Sequence, residues 1–573
     1  MEEDLQRLRH SAAHVTAQAV KRLWPRTKLA IGPPIEEGFY YDVEPERPLT
    51  DEDLPKIEAE IQEIIRANHP FQQSWMTKPE AEKLFGERGE RFKLELIREI
   101  PDSKVSIFTD GDFADLCEGP HVGKTGELKA VKLLSLAGAY WRGKEGNPQL
   151  TRIYGTAFFS REELERFLKL REEAKLRDHR KLGVSLQLFS ILEEAGAGLV
   201  FYHPKGALLR QLIEEYSRRE HAARGYQPVI TPHILRSNIW VRSGHYEHYK
   251  PNMYIFKTEG EQEWGVKPMN CPGHILIYQS TLRSYRELPL RFFELGTVYR
   301  NEKSGVLHGL LRVRGFTQDD AHLFCRVNQL EGELSAILDF IQQAFRDFGF
   351  SEYRVEMSTR PPEFMGEKED WDRAEEILGR VLRSKGITHT LSPGAGAFYG
   401  PKIDVHVKDT LGRYWQCATV QLDFVLPKRF ALRYVEADGR EATPVMIHRA
   451  IFGSLERFIG TLIEHHGGAF PVWLAPVQVT VIPISDAEAG YGRQVRDALA
   501  KAGIRAELDD RRETLQARIR DAQLAKVPYM AIVGRREVQG NQVAVRARKE
   551  GDLGACPLES FRDRVLQEVQ EKR

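Results

Sequence analysis

The chain has 573 residues, in which 83 Lys and Arg residues balance 83 Asp and Glu residues, so it is too long for a single core and predicts roughly three or four domains. A neutral total still permits a local basic face for nucleic acid, but no apolar stretch could cross a bilayer, and the charged N-terminus has no signal-peptide core. Five scattered cysteines form no disulfide framework, which leads us to expect a cytoplasmic protein.

The first block of the chain combines an opening helix with short strands separated by glycine and proline, a pattern typical of an α+β domain. The helix carries H-S-A-A-H, so His10 and His14 lie at i and i+4 and project in the same direction. Further along, D-L-C-E-G-P-H contains Asp115, Cys117 and His121. From spacing alone, H-x-x-x-H with C-x-x-x-H could equally be a zinc site.

The next segment is rich in Glu, Lys, Arg and Leu, with oppositely charged pairs at helical offsets from Ser160 to Leu182. This pattern predicts one long helix that connects two domains. A solvated helix face is the simpler interpretation of its charge, and a contact with RNA is the alternative.

The central block contains strands flanked by turn residues, which predict a largely antiparallel sheet. Cys271, His322 and His448 stand in the separate stretches K-P-M-N-C-P-G-H, R-G-F-T-Q-D-D-A-H and V-M-I-H-R-A. No short spacing links the three residues, so residue type alone favours ordinary packed side chains.

Three more stretches of this block have a recognisable form. G-Y-Q-P-V-I-T-P is a strand that ends in proline, F-E-L-G-T-V-Y-R-N-E is a strand that ends at Arg300, and H-R-A-I-F-G-S-L-E-R is a strand and helix with Arg457. A guanidinium is always charged, grips phosphate oxygens and stacks on rings. Gly453 would let the helix start approach a ligand closely, and no P-loop sequence occurs.

After Pro471 strands alternate with helices, in V-Q-V-T-V-I-P-I, I-R-A-E-L-D, V-P-Y-M-A-I-V-G and Q-V-A-V-R-A-R, which predicts an α/β domain with a mixed sheet. Together these stretches resemble the class II aminoacyl-tRNA synthetases, and among them the bacterial threonyl-tRNA synthetases, over nearly the whole sequence. The resemblance implies an α+β multidomain protein with an editing domain (1–159), a connecting helix (160–185), an antiparallel-sheet catalytic domain (186–470) and an α/β anticodon-binding domain (471–573). Most bacterial members begin with a small ubiquitin-like domain, and because His10 comes so early we expect that domain to be absent here.

The resemblance further implies that the protein joins threonine to ATP and transfers it to the 3′ end of threonine tRNA. Zn²⁺ would bind Cys271, His322 and His448 and keep one position open for the amino and hydroxyl groups of threonine, while Mg²⁺ would accompany ATP. The implied catalytic residues are Arg300 at the α-phosphate, Arg457 on adenine and the γ-phosphate, Lys402 at the acyl-adenylate and His245 in transfer to the ribose. The other residues implied to surround ATP, threonine and the adenylate are Met269, Glu302, Arg312, Gln318, Asp320, Tyr399, Gln416 and Gln421.

For the first block the resemblance implies a second active site that hydrolyses seryl-tRNA without metal. Its implied residues are His10, His14, Tyr41, Lys93, Asp115, Cys117 and His121. A site built around the threonine hydroxyl rejects valine by ~10⁴-fold or more, but the missing methyl of serine is worth only about 10–200-fold. A second, hydrolytic pocket would complete the discrimination, and a zinc-stabilised fold of this block is the alternative.

In the last domain, Glu537 and Arg546 match positions that contact anticodon bases in the family. The strand G-Y-Q-P-V-I-T-P matches a family segment that implies a homodimer. Two competing interpretations are another class II synthetase with a similar tail, such as the prolyl or histidyl enzyme, and a non-catalytic RNA-binding relative. The three-ligand set and the editing block argue against the first, and the presence of Arg300 and Arg457 argues against the second.

Overall fold

Separate hydrophobic cores organise the chain, and the computed structural model describes residues 2–144, 146–258 and 260–573. The chain divides into two compact units, Met1–Glu172 and Glu173–Arg573. The finer division predicted from the sequence, with boundaries at 159, 185 and 470, stays a prediction.

The first unit packs four helices on antiparallel sheets. Its elements are the helices α1 (Glu2–Leu23), α2 (Leu54–Ala67), α3 (Lys78–Glu87) and α4 (Arg91–Glu99) and the strands β1 (Lys28–Leu29), β2 (Pro34–Ile35), β3 (Gly38–Glu44), β4 (Gln72–Thr77), β5 (Lys104–Asp110), β6 (Phe113–Leu116), β7 (Ala130–Tyr140) and β8 (Gln149–Phe158). One sheet has the order β1-β3-β8-β7, with β2 paired to β3, and the other has the order β4-β5-β6. In α1, Leu8, Ala12, Val15 and Ala19 recur at helical spacing and enter the core, so the opposite edge of the helix is left for polar side chains.

The charged connecting segment differs from its prediction as one helix. It forms α5 (Arg161–Arg177) and α6 (His179–Ser185), separated at Asp178. Asp178 has non-helical dihedral angles, and its carboxylate accepts a hydrogen bond from the backbone N–H of Arg180 at 2.8 Å. An aspartate that caps a new helix in this way ends the previous one.

The second unit contains an eight-stranded sheet surrounded by helices. Its helices up to residue 470 are α7 (Pro204–Ala223), α8 (Asn238–Ser243), α9 (His245–Tyr249), α10 (Cys271–Gln279), α11 (Leu330–Asp347), α12 (Lys368–Ser384), α13 (Leu426–Arg429) and α14 (Leu455–His466). Its strands are β9 (Phe189–Ser190), β10 (Phe201–Tyr202), β11 (Gln227–Pro228), β12 (Ile234–Arg236), β13 (Ile255–Lys257), β14 (Glu263–Val266), β15 (Leu290–Tyr299), β16 (Gly315–Cys325), β17 (Tyr353–Ser358), β18 (His389–Ser392), β19 (Lys402–Lys408), β20 (Tyr414–Asp423), β21 (Tyr434–Val435), β22 (Glu441–Ala442) and β23 (Val445–Ser454).

The large sheet has the order β11-β15-β16-β23-β20-β19-β17-β18 and is antiparallel except at its two outermost pairs. Its strands β15, β16, β19, β20 and β23 are long. β15 and β20 alternate buried with partly exposed residues over part of their length, because one face packs on α11, α12 and α14. The prediction of a largely antiparallel sheet in the central block is confirmed.

The tail of the unit forms a mixed five-stranded sheet of order β25-β24-β26-β27-β28. Its elements are β24 (Val479–Pro483), β25 (Ala506–Leu508), β26 (Tyr529–Val533), β27 (Gln542–Ala547) and β28 (Gly551–Pro557) with α15 (Ala489–Lys501), α16 (Leu515–Leu524), α17 (Arg535–Gly540) and α18 (Leu558–Gln570). β24 runs parallel to both neighbours, whereas β27 and β28 are antiparallel, so the α/β prediction is confirmed. Within the described residues no helix combines the length and hydropathy needed to cross a bilayer.

Candidate active sites

Residues from several strands of the large sheet line a cavity of about 750 Å³, a size typical of small-ligand sites. Every residue predicted for catalysis, substrate or metal binding in the central block lines this one cavity. They are His245, Met269, Cys271, Arg300, Glu302, Arg312, Gln318, Asp320, His322, Tyr399, Lys402, Gln416, Gln421, His448 and Arg457. The fold therefore brings together residues that lie up to 212 positions apart (from 245 to 457), and their individual roles stay predictions.

Strand pairing explains this convergence. Lys402 on β19 lies opposite Gln421 on β20, and Gln421 lies opposite His448 on β23. His448 in turn lies opposite His322 on β16, so one row of side chains crosses four strands. Because residues two apart share a face of a strand, Asp320 joins His322 on the cavity side.

The three predicted metal ligands form a cluster. The ligand atoms of Cys271, His322 and His448 lie within 4.8 Å of one another, and all three residues are buried. Cys271 is the first residue of α10, which places its thiol beside the two facing histidines. Burial raises the pKa of the Cys271 thiol, an effect that a bound divalent cation would oppose.

The second ring nitrogen of each clustered histidine already has a partner. Nε2 of His448 lies 2.8 Å from Oδ2 of Asp423, and Nδ1 of His322 lies 2.9 Å from Nδ1 of His274. Nε2 of His274 lies 3.1 Å from Oε2 of Glu294. Each clustered histidine thus keeps one nitrogen for the centre, and outer partners of this kind orient metal-binding histidines. One thiol and two imidazoles supported in this way fit a zinc ion.

Neither His274 nor Asp423 is among the residues predicted from the sequence. His274 follows Cys271 by three residues and shares its face of α10, so the C-x-x-H spacing was a visible signal. Asp423 carries no local signal, because its approach to His448 depends on the pairing of β20 with β23.

Two polar contacts organise the part of the cavity beside the cluster. The Tyr399 hydroxyl donates a hydrogen bond to Oε1 of Gln421 at 2.5 Å. The Asn270 amide donates to Oδ2 of Asp320 at 3.1 Å, and burial raises the pKa of Asp320. These groups present oriented hydrogen-bonding atoms next to the cluster, as a small polar ligand requires.

Lys402, predicted as a cation for the acyl-adenylate, is paired in the structure. Its Nζ lies 2.7 Å from Oδ2 of Asp404, whose Oδ1 accepts hydrogen bonds from Gln416 and Thr419, both at 2.7 Å. Asp404 therefore holds two predicted residues in place. It closes the stretch F-Y-G-P-K-I-D but is absent from the predicted set, since its contacts with Gln416 and Thr419 form only when β19 and β20 pair.

Two guanidinium groups give the cavity positive charge. Arg300 donates from Nε to the carbonyl of Pro268 at 3.3 Å and lies 5.0 Å from the ring centroid of Phe316. Arg457 donates from Nε to the carbonyl of Leu311 at 3.1 Å, and burial lowers its pKa. Neither forms an ion pair with a carboxylate in the part of the chain that the structure describes, so both remain available to an anion.

At the edge of this cavity Arg312 forms an ion pair with Glu302 at 3.0 Å. His245 is buried, its Nδ1 lies 2.7 Å from the hydroxyl of Ser243, and burial lowers its pKa to about 3. His245 is therefore a neutral imidazole at physiological pH, able to exchange hydrogen bonds without carrying charge.

The first unit contains a second cavity, of about 830 Å³. Six of the seven residues predicted for editing line it, and they are His10, His14, Tyr41, Lys93, Asp115 and Cys117. The seventh, His121, contacts the cavity residue Cys117, with Nε2 at 3.2 Å from Sγ.

The predicted histidine pair of α1 is divided between two partners. Nε2 of His10 lies 3.3 Å from Sγ of Cys117, whereas Nε2 of His14 lies 3.0 Å from Oδ1 of Asp110. Ligand atoms of His10, Cys117 and His121 lie within 4.8 Å of one another. Burial raises the pKa of Cys117 to about 11 and lowers that of His121 to about 2. The cluster is thus uncharged. An uncharged cluster of this kind is compatible with metal-free hydrolysis and with the binding of a metal.

A buried ion pair forms the adjacent wall of this cavity. Nζ of Lys93 lies 2.6 Å from Oδ1 of Asp115, and the hydroxyl of Tyr41 donates to Oδ2 of the same carboxylate at 2.6 Å. Burial alone would raise the pKa of Asp115, but the charge of Lys93 lowers it below its usual value. Asp115 is therefore ionised and fixes the Lys93 ammonium against the cavity.

In the tail, Glu537 caps α17 by accepting a hydrogen bond from the backbone N–H of Gly534 at 2.9 Å. Arg546 lies on β27 and has no ion-pair partner within the described ranges. The buried Arg518, which the sequence did not single out, lines a cavity of about 290 Å³ beside the carboxyl end of β24. Ligands of open α/β sheets bind at this edge, so the sheet topology could have found it.

Comparisons with known proteins agree with this architecture. Residues 254–466 match the tRNA synthetase class II core domain (G, H, P, S and T), residues 478–568 the anticodon binding domain, and residues 105–154 the threonyl and alanyl tRNA synthetase second additional domain. The chain is 54% identical over 569 residues to a threonine–tRNA ligase of Oleidesulfovibrio alaskensis, covering 99% of this chain and 88% of that protein. It is 52% identical to a threonine–tRNA ligase of Carboxydothermus hydrogenoformans, covering 99% and 89%.

A solved RNA binding domain of threonyl-tRNA synthetase from Cryptosporidium parvum matches with a TM-score of 0.66 and 41% identity, covering 68% of this chain and 98% of that one. Identity of this extent across the synthetase core, the anticodon-binding domain and the additional domain decides between the competing class II interpretations. The chain belongs to the threonine–tRNA ligase family.

Proposed function

We propose that this protein activates threonine with ATP in the cavity of its second unit, transfers the threonyl group to threonine tRNA, and hydrolyses seryl-tRNA in the cavity of its first unit. The observation that carries the proposal is the convergence of a Cys–His–His cluster and two unpaired guanidinium groups on one cavity. A cluster for the amino acid beside cations for a phosphate is the arrangement that aminoacyl-adenylate formation needs.

Threonine selection rests on the cluster of Cys271, His322 and His448, which would hold Zn²⁺. A bound zinc ion would supply a Lewis acid that recognises the amino and hydroxyl groups of threonine. Asp320 lies 3.8 Å from Nε2 of His322, so its carboxylate is placed to accept a hydrogen bond from the same hydroxyl. Valine has no hydroxyl for these groups, and a site of this kind rejects it by ~10⁴-fold or more.

Adenylate formation rests on Arg300 and Arg457, together with Mg²⁺ brought by ATP. The threonine carboxylate attacks the α-phosphate in line, the α–β phosphoanhydride bond breaks, and pyrophosphate leaves. Two guanidinium groups without carboxylate partners stabilise the charge that builds on the phosphate oxygens. Lys402, held by Asp404, supplies a third cation near the acyl-adenylate.

Transfer to tRNA involves the neutral His245, which accepts a hydrogen bond from the attacking ribose hydroxyl and so orients it. We place anticodon contacts at Glu537 and Arg546, on the adjacent α17 and β27. Base edges of a single-stranded loop suit an acceptor and a donor presented together.

Editing rests on the first-unit cavity, where Lys93 binds the tRNA end and His10, Cys117 and His121 position water for attack on the seryl ester. A neutral thiol does not attack the ester itself, so hydrolysis by bound water is the better chemistry. The alternative is a structural metal held by the same three residues.

We also propose a cytoplasmic homodimer. The support is Ile230 in G-Y-Q-P-V-I-T-P, a large apolar side chain that is 91% exposed and so left for a partner surface. All five cysteines are free, which suits a reducing compartment.

Threonine-dependent exchange of pyrophosphate into ATP tests the proposal directly. Wild-type protein should support exchange with threonine, weakly with serine, and not with valine. Arg300→Ala should lose exchange by ~100-fold or more, as the loss of a transition-state cation predicts. The matched control is Arg440→Ala, which removes an arginine that is 84% exposed and outside the cavity. Equal exchange in both variants, or equal exchange with valine and threonine, would contradict the proposal.

A further inference from the structure

A buried polar cluster lies under the loop that joins β15 to β16, outside every residue assigned above. It consists of His179 at the start of α6, Glu464 on α14, and Arg413 with Asp409 from the β19–β20 turn. His179 is fully buried and Glu464 is 3% exposed. Charged groups are rarely buried without a function or a fixed set of partners.

The partners of His179 define its protonation. Its Nδ1 lies 2.6 Å from Oε1 of Glu464, and the backbone N–H of Leu310 donates to its Nε2 at 3.0 Å. A backbone N–H can only donate, so Nε2 must be the acceptor and Nδ1 must carry the proton. Glu464 is held in turn by Arg413 at 2.5 Å, so the acceptor for that proton is itself fixed.

The arginine partners of this cluster argue against a metal there. Ligand atoms of Asp178, His179 and Glu464 lie close enough together to suggest one. However, both ring nitrogens of His179 are already engaged, and the Asp178 carboxylate caps α6 and pairs with Arg180 at 2.6 Å. Neither ring nitrogen of His179 is therefore free to bind an ion.

The hydrogen bond to Leu310 holds the loop beside Arg457, on the side of the cavity where we propose that the nucleotide binds. The next residue, Leu311, accepts from Nε of Arg457 through its carbonyl at 3.1 Å and lines the cavity. The position before, Gly309, has φ +48°, and a Cβ there would lie 2.1 Å from Nε2 of His179. The loop thus rests directly on the imidazole, and only a glycine permits that approach.

We propose that His179 is a positioning residue for nucleotide binding: by holding Leu310 it fixes the loop that orients Arg457, and so ties the connecting segment to amino-acid activation. This inference rests on the proposed function, because it takes the cavity beside Arg457 as the ATP site. His179 touches no substrate; it acts through the backbone of Leu310 and Leu311.

A pair of amide variants separates the two contacts of His179. In His179→Gln the side-chain amide reaches the position of Nε2, where its oxygen can accept from Leu310. In His179→Asn the amide lies near Nδ1, where it can donate to Glu464 but leaves the Leu310 N–H without a partner. The substitutions are otherwise similar in polarity, and thermal unfolding checks that both proteins fold.

We expect His179→Asn to raise the KM for ATP in pyrophosphate exchange by about tenfold, as the loss of one buried acceptor implies, with the KM for threonine unchanged. His179→Gln should stay within about threefold of wild type, since it keeps the acceptor. Equal ATP constants for the two variants, or parallel shifts in the ATP and threonine constants, would overturn the proposal, because a merely structural role predicts no difference between them.

Gly309→Ala provides an independent variant if the His179 proteins fail to fold, and it too should raise the KM for ATP selectively. An unchanged KM in that variant counts against the proposal. If wild-type protein itself shows no threonine-dependent exchange, the proposed function fails, and calorimetric ATP affinity of the same variants still decides whether His179 positions the nucleotide site.

Discussion

Cys271 is the residue on which the metal centre depends most, because it is the only thiol in the cluster and begins the helix that also carries His274. Cys271→Ser should lower zinc from about one equivalent per chain to a small fraction and abolish threonine-dependent exchange, since a serine hydroxyl is a poor zinc ligand. Metal analysis and exchange on the same preparation measure both effects. Cys556→Ser, in the tail, is the matched control and should change neither. Full zinc content with normal exchange in Cys271→Ser would contradict the assignment.

Glu294 supports the same centre through His274 and gives a pH prediction. Burial would raise its pKa, but hydrogen bonds from His274 and Thr231 and the charge of Lys267 lower it from 4.5 to about 2. A carboxyl with a lowered folded-state pKa stabilises the fold fully above its unfolded value and loses that contribution as pH falls from about 4.5 towards 2. The lowered pKa corresponds to a contribution of about 3 kcal/mol to the free energy of unfolding.

Glu294→Gln should therefore destabilise the second unit at pH 7, and its deficit relative to wild type should shrink as pH falls from 5 to 3. Urea midpoints of the two proteins at several pH values measure the deficit. A deficit that stays constant across this range would mean that the ionised carboxylate is not what stabilises the site.

Some residues of the sites are marked by local sequence signals, whereas others are revealed only by tertiary contacts. His10, Cys117, Cys271 and Arg457 stand in motif strings, so the family resemblance could point to them before the fold was known. Asp423 and His179 could not be found in this way, because their contacts with His448 and Leu310 form only when distant elements meet. Asp404 contacts Lys402 two residues away on the same strand, but its contact with Gln416 forms only when β19 pairs with β20.

At the scale of elements, one irregularity where β23 joins α14 helps to position a cavity residue. Between Gln318 and Asp320 the register on β23 moves from Ser454 to Ala450, which is a bulge. The carboxylate of Asp319 accepts from the backbone N–H groups of Ile451 and Phe452, at 2.8 and 3.0 Å, and holds the bulge open. Arg457 enters the cavity directly after this bulge.

Gly453 completes the junction, with φ +71° and a position where a Cβ would lie 2.5 Å from the carbonyl of Cys417. Gly453→Ala should shift the start of α14 and slow threonine-dependent exchange roughly 10- to 100-fold, because small displacements of a positioned group are costly. Steady-state exchange rates measure this, with zinc content expected to be unchanged. Gly332→Ala, on α11 with no atom near its added methyl, is the control and should keep full activity. Normal exchange in Gly453→Ala would show that the junction tolerates the shift.

The sequence anticipated a close approach at Gly453 but not the bulge that requires it, because a bulge is a property of two paired strands. The connecting segment gives the converse case. Its charge pattern predicted one helix, and the short-range cap at Asp178 divides it into α5 and α6. Helical charge pairs continue through the break, so they carry no information about where a helix ends.

At the scale of the whole molecule, two cavities sit in two units with separate cores, and the fold classes of both were predictable from motif order. The motifs could not predict which partner each histidine of the first cavity contacts. His14 contacts Asp110, whereas His10 contacts Cys117, which also contacts His121. Because each unit has its own core, a change in one cavity should leave the chemistry of the other intact.

Cys117→Ala tests that independence and the editing role together. Without the thiol that lies between His10 and His121, hydrolysis of seryl-tRNA should fall by at least about tenfold, since the water is no longer held in place.

Threonine-dependent exchange and charging should stay within about twofold of wild type, because no cavity residue of the second unit changes. Deacylation of seryl-tRNA and threonyl-tRNA by the 573-residue protein measures the first effect, and Cys556→Ala serves as the matched control. The alternative, a structural metal in the first unit, predicts instead the loss of a bound metal equivalent and a lower unfolding temperature for that unit. A variant that keeps its metal content and stability yet accumulates seryl-tRNA supports a hydrolytic site; one that hydrolyses seryl-tRNA as fast as wild type excludes Cys117 from it.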